Sequence, residues 1–247
     1  SADSDVVVVT AGRNQKPGET RIDLSRDNAS VMREVMADVD RFAPPEAVVV
    51  IVTNPVDVLT YIAARTTRRP PSRVLGSGTV LDSSRFRFLL SEHCGVDPRN
   101  VHAYIIGEHG DTEVPAWSLT NIAGARLDEF CPACPRGCGS VDRERIARHV
   151  RESAYHIIDM KGATYWAVAL ALRRIVESVI RNEHSVLTVS TVLTGQYGIS
   201  GVSLSLPAIV NRGGVVRALE LPLAEEEVDG LRRSAAAMAA IQRDLGY

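Results

Sequence analysis

A run of four valines at residues 6–9 constrains the fold more than any other part of this sequence. A short, unbroken β-branched run between polar residues is typical of a parallel strand that is buried on both faces. A second all-apolar run occupies residues 47–53. Between the two runs, residues 21–42 carry apolar positions with helical spacing and are followed by Pro44 and Pro45. Strand, helix and strand in this order predict a parallel sheet with right-handed crossovers.

The alternation of strands and helices continues at first, and the later elements occur in a mixed order. Helices are predicted over residues 56–65 and 82–94, with a short strand over 73–75 between them. The remaining predicted elements are a strand over 101–106, one long helix or two with a kink near Gly162 over 143–181, strands over 185–192, 202–209 and 215–221, and a helix over 224–245. The sequence therefore predicts an α/β protein. Residues 1–76 would form an incomplete doubly wound, Rossmann-type parallel sheet, and residues 77–247 a mixed α+β domain, with a ligand cleft between them.

Charge and hydropathy argue against two classes of function. The chain has 28 lysines and arginines against 30 aspartates and glutamates, so it lacks the basic surplus of a general nucleic-acid binder. No apolar run approaches the roughly 18 residues that span a bilayer. The N-terminus has neither the basic nor the apolar part of a secretory signal. Because four cysteines are too few for a disulfide framework at this length, a cytoplasmic protein is expected.

Residues 105–111, Ile-Ile-Gly-Glu-His-Gly-Asp, place a histidine directly after a predicted strand. The glycines on either side of Glu108 and His109 allow a sharp turn and the close approach of a ligand. An imidazole at a strand end in a cleft suits general acid–base catalysis near neutral pH. The alternative is a turn histidine without a chemical role, which is the commoner case for a single histidine.

Asp82 and Arg85 lie at the start of the predicted helix over residues 82–94. The helix dipole favours a carboxylate there, and Arg85 is one turn further along on the same face. The functional interpretation is a carboxylate that orients an imidazole, beside a guanidinium that binds a substrate carboxylate. The alternative is a helix cap with an i,i+3 ion pair.

A polar loop over residues 14–20 follows the first strand and leads to Arg21. Loops at the carboxyl ends of parallel strands commonly bind ligands in α/β sheets. This segment is therefore interpreted as a lid that delivers Arg21 when it closes. The alternative is a solvated surface loop.

Together with Val-Thr-Asn-Pro at residues 52–55 and Lys-Gly-Ala-Thr at 161–164, these motifs resemble the L-lactate/L-malate dehydrogenase family, most closely its bacterial L-lactate dehydrogenases. The resemblance extends over essentially the whole chain. It implies an oxidoreductase that transfers a hydride between the nicotinamide of NAD and C2 of a 2-oxo or 2-hydroxy acid. The expected reaction interconverts L-lactate and pyruvate. Malate dehydrogenase activity and a catalytically inactive remnant stay open as alternatives.

The resemblance also implies roles for individual residues. His109 is expected to donate and accept the proton, Asp82 to stabilise its imidazolium form, and Arg21 to polarise the substrate carbonyl. Arg85 would anchor the substrate carboxylate through two hydrogen bonds. The expected substrate-binding residues are Gln15, Arg21, Asn54, Arg85 and Thr164. The expected cofactor-binding residues are Thr10, Ala11, Gly12, Val52, Asn54 and Ser77.

Gln15 occupies the position that separates lactate from malate enzymes in this family. An arginine there would pair with the second carboxylate of malate or oxaloacetate. A neutral glutamine accepts a methyl-sized group and leaves a dicarboxylate unpaired. Arg13 is a departure, because the family usually has a small residue at that position, and it keeps malate open as a substrate.

Arg87 and His102 match positions that carry an arginine and a histidine in bacterial lactate dehydrogenases activated by fructose 1,6-bisphosphate. The resemblance implies an anion site at a subunit interface of a homotetramer. A bisphosphate bound there would relieve the repulsion between cations of two subunits. The alternative is a surface arginine and a strand histidine without a ligand.

Two features of the family are absent from this sequence. It has no G-x-G-x-x-G fingerprint and no acidic residue following one. It also begins at Ser1, without methionine, almost inside a predicted strand. We therefore expect a fragment or a truncated product that lacks the pyrophosphate-binding turn, and we expect it to bind NAD weakly or not at all.

Cys131, Cys134 and Cys138 have a spacing that resembles metal ligands, and Cys94 is a candidate for a fourth. Zinc sites usually pair two such cysteine knuckles, whereas here there is one, interrupted by prolines. The sequence therefore predicts no metal site. His93 is interpreted as a surface or packing residue, and Trp166 as a core residue.

Overall fold

The computed structural model describes residues 2–13, 21–134, 136, 141–161 and 166–247, with the backbone alone for 21–23 and 154–161. Its strands are β1 (Val6–Val9), β2 (Val48–Ile51), β3 (Val74–Gly76), β4 (Val101–His102), β5 (Ile105–Ile106), β6 (Val114–Pro115), β7 (Asn121–Ile122), β8 (Ala125–Arg126), β9 (Ser185–Leu187), β10 (Ser190–Thr194), β11 (Ser200–Ser205), β12 (Ala208–Asn211) and β13 (Gly214–Ala218). Its helices are α1 (Arg21–Phe42), α2 (Val56–Thr66), α3 (Val80–Cys94), α4 (Leu127–Phe130), α5 (Arg143–Lys161), α6 (Trp166–Ile180) and α7 (Glu225–Asp244).

The largest sheet has the strand order β1-β2-β3-β10-β11. β1, β2 and β3 are parallel, with Val8 opposite Val50 and Val50 opposite Leu75, which confirms the predicted parallel sheet. β10 joins β3 in antiparallel orientation where Ser190 lies opposite Gly76, and β11 pairs antiparallel with β10. The later part of the chain thus contributes two strands to the sheet that the first part begins.

Strand β2 is buried on both sides of this sheet. Val48 and Val50 belong to an apolar cluster that also contains Ile175 of α6. Val49 and Ile51 belong to a second cluster, formed with residues of α1, α2 and α7. All four strand residues are fully buried. The alternation of faces explains why the sequence of this strand is continuously apolar rather than alternating.

Two predictions about burial are wrong. Val8 of β1 is 40% exposed, because β2 is the one strand that pairs with β1 within the described residues. Trp166, which the sequence predicts as a core residue, is 83% exposed at the start of α6. No helix in the described ranges combines the length and hydropathy needed to cross a membrane.

Three predicted strands are divided in the structure because their halves pair with different partners. The segment 101–106 becomes β4, which pairs with β7, and β5, which pairs with β6. The segment 185–192 becomes β9, which pairs with β12, and β10 of the large sheet. The segment 202–209 becomes β11 and the beginning of β12. Of the two alternatives for residues 143–181, the structure has two helices, α5 and α6, while Gly162, where the kink is predicted, lies outside the described residues.

Candidate active site

A glycine turn after β5 positions His109. Gly107 has a φ of +87° and exchanges backbone hydrogen bonds with Ser205 at 2.8 and 2.9 Å. A Cβ atom on Gly107 would lie 2.9 Å from Oγ of Ser234, and that hydroxyl accepts the backbone N–H of Glu108 at 2.7 Å. Both the backbone conformation and the space therefore favour glycine.

The imidazole of His109 contacts the carboxylate of Asp82, with Nδ1 and Oδ2 2.5 Å apart. Asp82 lies in the first turn of α3, and its side chain is only 4% exposed. Its other oxygen accepts a hydrogen bond from Nη1 of Arg85 at 3.2 Å. The i,i+3 ion pair is therefore present, but it engages only one of the two carboxylate oxygens of Asp82. Because Nδ1 is engaged, Nε2 is the ring nitrogen left to exchange a proton with a ligand.

The electrostatics of this cluster favour a protonated imidazole. The negative charge of Asp82 raises the pKa of His109 to about 9, against the effect of burial, and the charges of Asp57 and Glu113 add to the rise. Burial opposes ionisation of Asp82, but the charge and hydrogen bond of His109 and the charge of Arg85 outweigh it and lower its pKa. The pair is thus held as imidazolium and carboxylate at neutral pH, a state in which the imidazole is able to donate a proton.

Asp57 is a site residue that the sequence interpretation missed. It lies in the first turn of α2, and Oδ2 of its buried carboxylate accepts the backbone N–H of His109 at 2.7 Å. Its Oδ1 accepts the hydroxyl of Ser190 at 2.6 Å. Burial raises the pKa of Asp57 to about 6, although both hydrogen bonds oppose that rise. One signal was present in the sequence, a single acidic residue in an otherwise apolar helical stretch after Asn54 and Pro55.

Glu113 is a second such residue. It is buried, and its Oε1 has no hydrogen-bond partner within the described part of the chain. Burial raises its pKa to about 8, with the nearby charge of Asp82 adding to the rise and those of His109 and Arg151 opposing it. No sequence signal identifies this residue beyond its position four residues after His109.

Arg85 presents an unused donor at the same place. Its Nη2 is buried and has no hydrogen-bond partner among the residues described, while Nη1 is bonded to Asp82. A buried donor without a partner is destabilising, so a ligand acceptor at this position would be bound favourably. A carboxylate is the acceptor that suits a guanidinium best. The site can therefore hold an anionic group beside the imidazole of His109.

The carboxyl ends of β1, β2 and β3 form the adjoining edge of the sheet. Thr53 donates its hydroxyl to the carbonyl of Ala11 at 2.8 Å, and Asn28 of α1 donates to the carbonyl of Asn54 at 2.9 Å. A Cβ atom on Gly12 would lie 2.2 Å from Cγ2 of Thr53, so glycine permits the close approach of the two strand ends. The six predicted cofactor-binding residues follow or end these strands: Thr10, Ala11, Gly12, Val52, Asn54 and Ser77.

This edge fits the nicotinamide part of a dinucleotide. Parallel α/β sheets bind such ligands at the carboxyl ends of their strands. Thr10, Ala11 and Asn54 are exposed there, so backbone and side-chain polar groups are accessible. α2 begins directly after this edge, and Asp57 in its first turn is bonded to His109. The edge is therefore continuous with the imidazole.

Three predicted substrate-binding groups are not described. Gln15 and Thr164 lie outside the described residues, and so does the side chain of Arg21, the first residue of α1. Their roles stay predictions.

Comparison with known proteins assigns this geometry to a family. The family model described as "lactate/malate dehydrogenase, NAD binding domain" matches residues 1–76, and the one described as "lactate/malate dehydrogenase, alpha/beta C-terminal domain" matches residues 79–244. The chain belongs to the lactate/malate dehydrogenase family.

Individual members of the lactate/malate dehydrogenase family are similar over nearly the whole chain. The L-lactate dehydrogenase of Thermoanaerobacterium saccharolyticum is 55% identical over 242 residues, which are 98% of this chain and 78% of that protein. The L-lactate dehydrogenase of Acetivibrio thermocellus is 53% identical, over 94% of this chain and 73% of that protein. A solved L-lactate dehydrogenase from Clostridium thermocellum has a TM-score of 0.88 and 42% identity, over 99% of this chain and 78% of that one. A lactate dehydrogenase from a Medee basin deep-sea metagenome library has a TM-score of 0.95 and 38% identity, with the same coverage.

The predicted lactate/malate dehydrogenase resemblance is thus confirmed, and with it an oxidoreductase that uses NAD. Neither alternative is favoured, because relatives that are 48% to 55% identical are named L-lactate dehydrogenase. The residues that carry the resemblance, His109, Asp82 and Arg85, are brought together in one site.

The two residues of the predicted anion site line one cavity of about 1130 Å³. Arg87 of α3 and His102 of β4 share it with Arg99 and Arg174. Arg99 is paired with Asp97, and Arg174 with Glu183. Arg87 donates to the hydroxyl of Ser84, and neither it nor His102 has a carboxylate partner among the side chains described.

Proposed function

We propose that this chain interconverts pyruvate and L-lactate, with NAD as the hydride carrier and His109 as the proton donor and acceptor. The observation that carries the proposal is the contact between His109 and Asp82, with the free donor of Arg85 beside them. When bound, NAD supplies hydride transfer to or from C2 of the acid. The residues of the chain bind the acid, transfer one proton and exclude water.

In the direction of pyruvate reduction, Nε2 of His109 gives its proton to the ketone oxygen as C2 is reduced. The carboxylate of Asp82 stabilises the imidazolium until transfer. The carboxylate of Asp57 accepts the backbone N–H of His109 and so holds in place the backbone that carries the imidazole ring. In lactate oxidation the same nitrogen accepts the hydroxyl proton, so this direction requires the neutral imidazole.

The substrate carboxylate is assigned to Arg85. Its buried Nη2 would form one hydrogen bond with the carboxylate, and the planar guanidinium favours a second, parallel one. Arg21 would approach the carbonyl from the loop that precedes α1 and stabilise the negative charge that develops on its oxygen. Asn54 and Ser77 would border the nicotinamide, and Thr164 the substrate side chain.

Selection of pyruvate over oxaloacetate is assigned to Gln15, and replacing it tests the assignment. With NADH at concentrations high enough to offset the weak binding expected of a sequence without the G-x-G-x-x-G turn, we expect the protein to reduce pyruvate faster than oxaloacetate. The Gln15→Arg variant should shift the ratio of the two kcat/KM values toward oxaloacetate by about 10²-fold or more, because an otherwise unpaired carboxylate gains a cation. The Gln15→Asn variant is the neutral control. A wild-type preference for oxaloacetate would contradict the proposal.

We also propose that the cavity around Arg87 and His102 binds fructose 1,6-bisphosphate between two copies of the chain in a homotetramer. Phe88, Leu170 and Val186 line the same cavity and are 54%, 65% and 42% exposed, an apolar surface that a second copy would cover. Arg87 and His102, which have no carboxylate partner among the described side chains, would face their counterparts across such an interface, and a bisphosphate would supply the negative charge between them.

The assembly of the chain with and without fructose 1,6-bisphosphate tests this second proposal. We expect the bisphosphate to increase the molar mass measured by light scattering and to lower the KM for pyruvate. Both responses should be lost in Arg87→Gln and in His102→Gln. Arg99→Gln is the matched control, since this arginine lines the same cavity but is paired with Asp97. A response that survives in both variants would contradict the assignment.

A cytoplasmic location and a domain boundary between residues 76 and 77 stay predictions.

A further inference from the structure

Three potential metal ligands meet at the end of α3 remote from the active site. His93 and Cys94 are the last two residues of α3, and Cys131 begins the short 3-10 turn that follows α4. One ring nitrogen of His93 and the two sulfurs all lie within 4.8 Å of one another. Cys131 lies 37 positions after Cys94, so the cluster is created by tertiary packing and not by a local motif.

The cluster is buried and contains an unsatisfied group. Cys94 and Cys131 belong to the apolar cluster formed with Phe86 and Leu90, and both are essentially inaccessible to solvent. Nε2 of His93 is also buried, and within the described residues it has no hydrogen-bond partner. Such a buried nitrogen calls for an explanation, and ion binding is one of the recognised explanations.

We propose that His93, Cys94 and Cys131 bind a thiophilic divalent cation of the zinc class in a structural site. Imidazole and thiolate are the ligands that zinc prefers, and zinc–sulfur bonds of about 2.3 Å place two ligand sulfurs of a tetrahedral site about 3.8 Å apart. The two sulfurs, which lie within 4.8 Å of each other, need to approach by about 1 Å at most to reach that separation. Two thiolates also neutralise the charge of a divalent cation.

The surroundings of the cluster support a cation. Cys94 ends α3, and the carboxyl end of a helix carries partial negative charge. Cys134 is buried and follows within the same turn, where its backbone N–H donates to the carbonyl of Cys131 at 3.3 Å.

The site is structural because of its place on α3. Asp82 lies at the other end of the helix, 11 residues from His93 and so about 16 Å along the axis. A cation there would join the end of α3 to the turn at Cys131 without touching the reacting groups. It would stabilise the fold by holding two distant segments of chain together, and it would leave the proton chemistry of His109 unchanged.

Binding of Co²⁺ and Zn²⁺ to the full chain tests the proposal. Protein stripped with a chelator under reducing conditions is titrated with Co²⁺, and absorption is followed in the visible region and in the thiolate-to-metal charge-transfer region. We expect one equivalent per chain with a charge-transfer band, displacement by Zn²⁺, and a rise in Tm with Zn²⁺. Cys94→Ser and Cys131→Ser should lose the band and the rise in Tm, and His93→Asn should bind at least tenfold more weakly. His149→Asn, on the exposed side of α5, is the control and should behave as wild type.

Several results would overturn the proposal. The proposal is contradicted if wild-type protein takes up no Co²⁺ or binds it without a charge-transfer band. It is also contradicted if the protein forms a Cys94–Cys131 disulfide instead of binding metal. Retention of full binding by both serine variants would contradict it as well. If the serine variants fail to fold by circular dichroism, the His93→Asn variant decides the matter, because undiminished binding by that variant would also contradict the proposal.

Discussion

Replacing His109 by glutamine is expected to lower kcat/KM for pyruvate reduction by about 10²-fold to 10⁴-fold, the usual contribution of a positioned proton donor. Glutamine retains a polar side chain of similar length but has no proton to exchange near neutral pH. The measurement is the steady-state oxidation of NADH at saturating and limiting pyruvate. His184→Gln, in the exposed turn before β9, serves as the control and should match wild type. A His109→Gln variant within tenfold of wild type would show that the proton comes from elsewhere.

The Arg85→Gln variant is expected to lose binding of the substrate carboxylate. Removing one member of a buried charged pair costs about 2–5 kcal/mol, which corresponds to a rise in KM of about 30-fold to 5000-fold at 1.36 kcal/mol per tenfold change. The cost is large because Nη2 of Arg85 is enclosed by protein, so water cannot replace it freely as a partner for the substrate. Initial rates as a function of pyruvate concentration give KM and kcat separately.

Two further variants make the Arg85 result specific. Arg85→Lys keeps the positive charge but cannot form two parallel hydrogen bonds, so its KM should fall between those of wild type and Arg85→Gln. Arg232→Gln removes an arginine from an exposed ion pair on α7 and should change nothing. A KM that stays at the wild-type value in Arg85→Gln would place the substrate carboxylate elsewhere.

The sequence was most informative where a pattern is local. The helical spacing over residues 21–42 and the apolar run at 47–53 predicted α1 and β2, because amphipathic and doubly buried elements impose their own periods. The sequence could not predict where β9 ends and β10 begins. The change of partner from β12 to β3 is decided by the arrangement of two sheets and leaves no mark in the hydropathy of the segment.

Some residues of the site could likewise be predicted from the sequence, and others could not. His109, Asp82 and Arg85 stand in motifs with recognisable neighbours, and the structure places them together. Asp57 was missed because its role arises from contacts with residues 52 and 133 positions away. His93 likewise lies in an ordinary helical stretch, and its relation to Cys131 exists only in the folded chain.

Asp57 gives further support to His109, the proposed proton donor. Burying a carboxylate without a positively charged partner costs free energy. The carboxylate of Asp57 has both oxygens hydrogen-bonded, one of them to the backbone N–H of His109, which offsets part of that cost. Its charge also contributes to the raised pKa of the imidazole. Asp82 therefore orients the ring and Asp57 orients the backbone that bears it. The charges of both residues raise the pKa of His109.

The pH dependence of kcat/KM for pyruvate in wild type and Asp82→Asn tests the central claim most directly. Pyruvate reduction needs the imidazolium, so kcat/KM should be high at neutral pH and fall as the pH rises through the pKa of His109, which is about 9. Asparagine removes the charge that raises this pKa most, so the fall should move toward the ordinary value of 6.5 and the activity at neutral pH should drop. An apparent pKa that is the same in both proteins would contradict the role of Asp82 and, with it, the assignment of His109 as the proton donor.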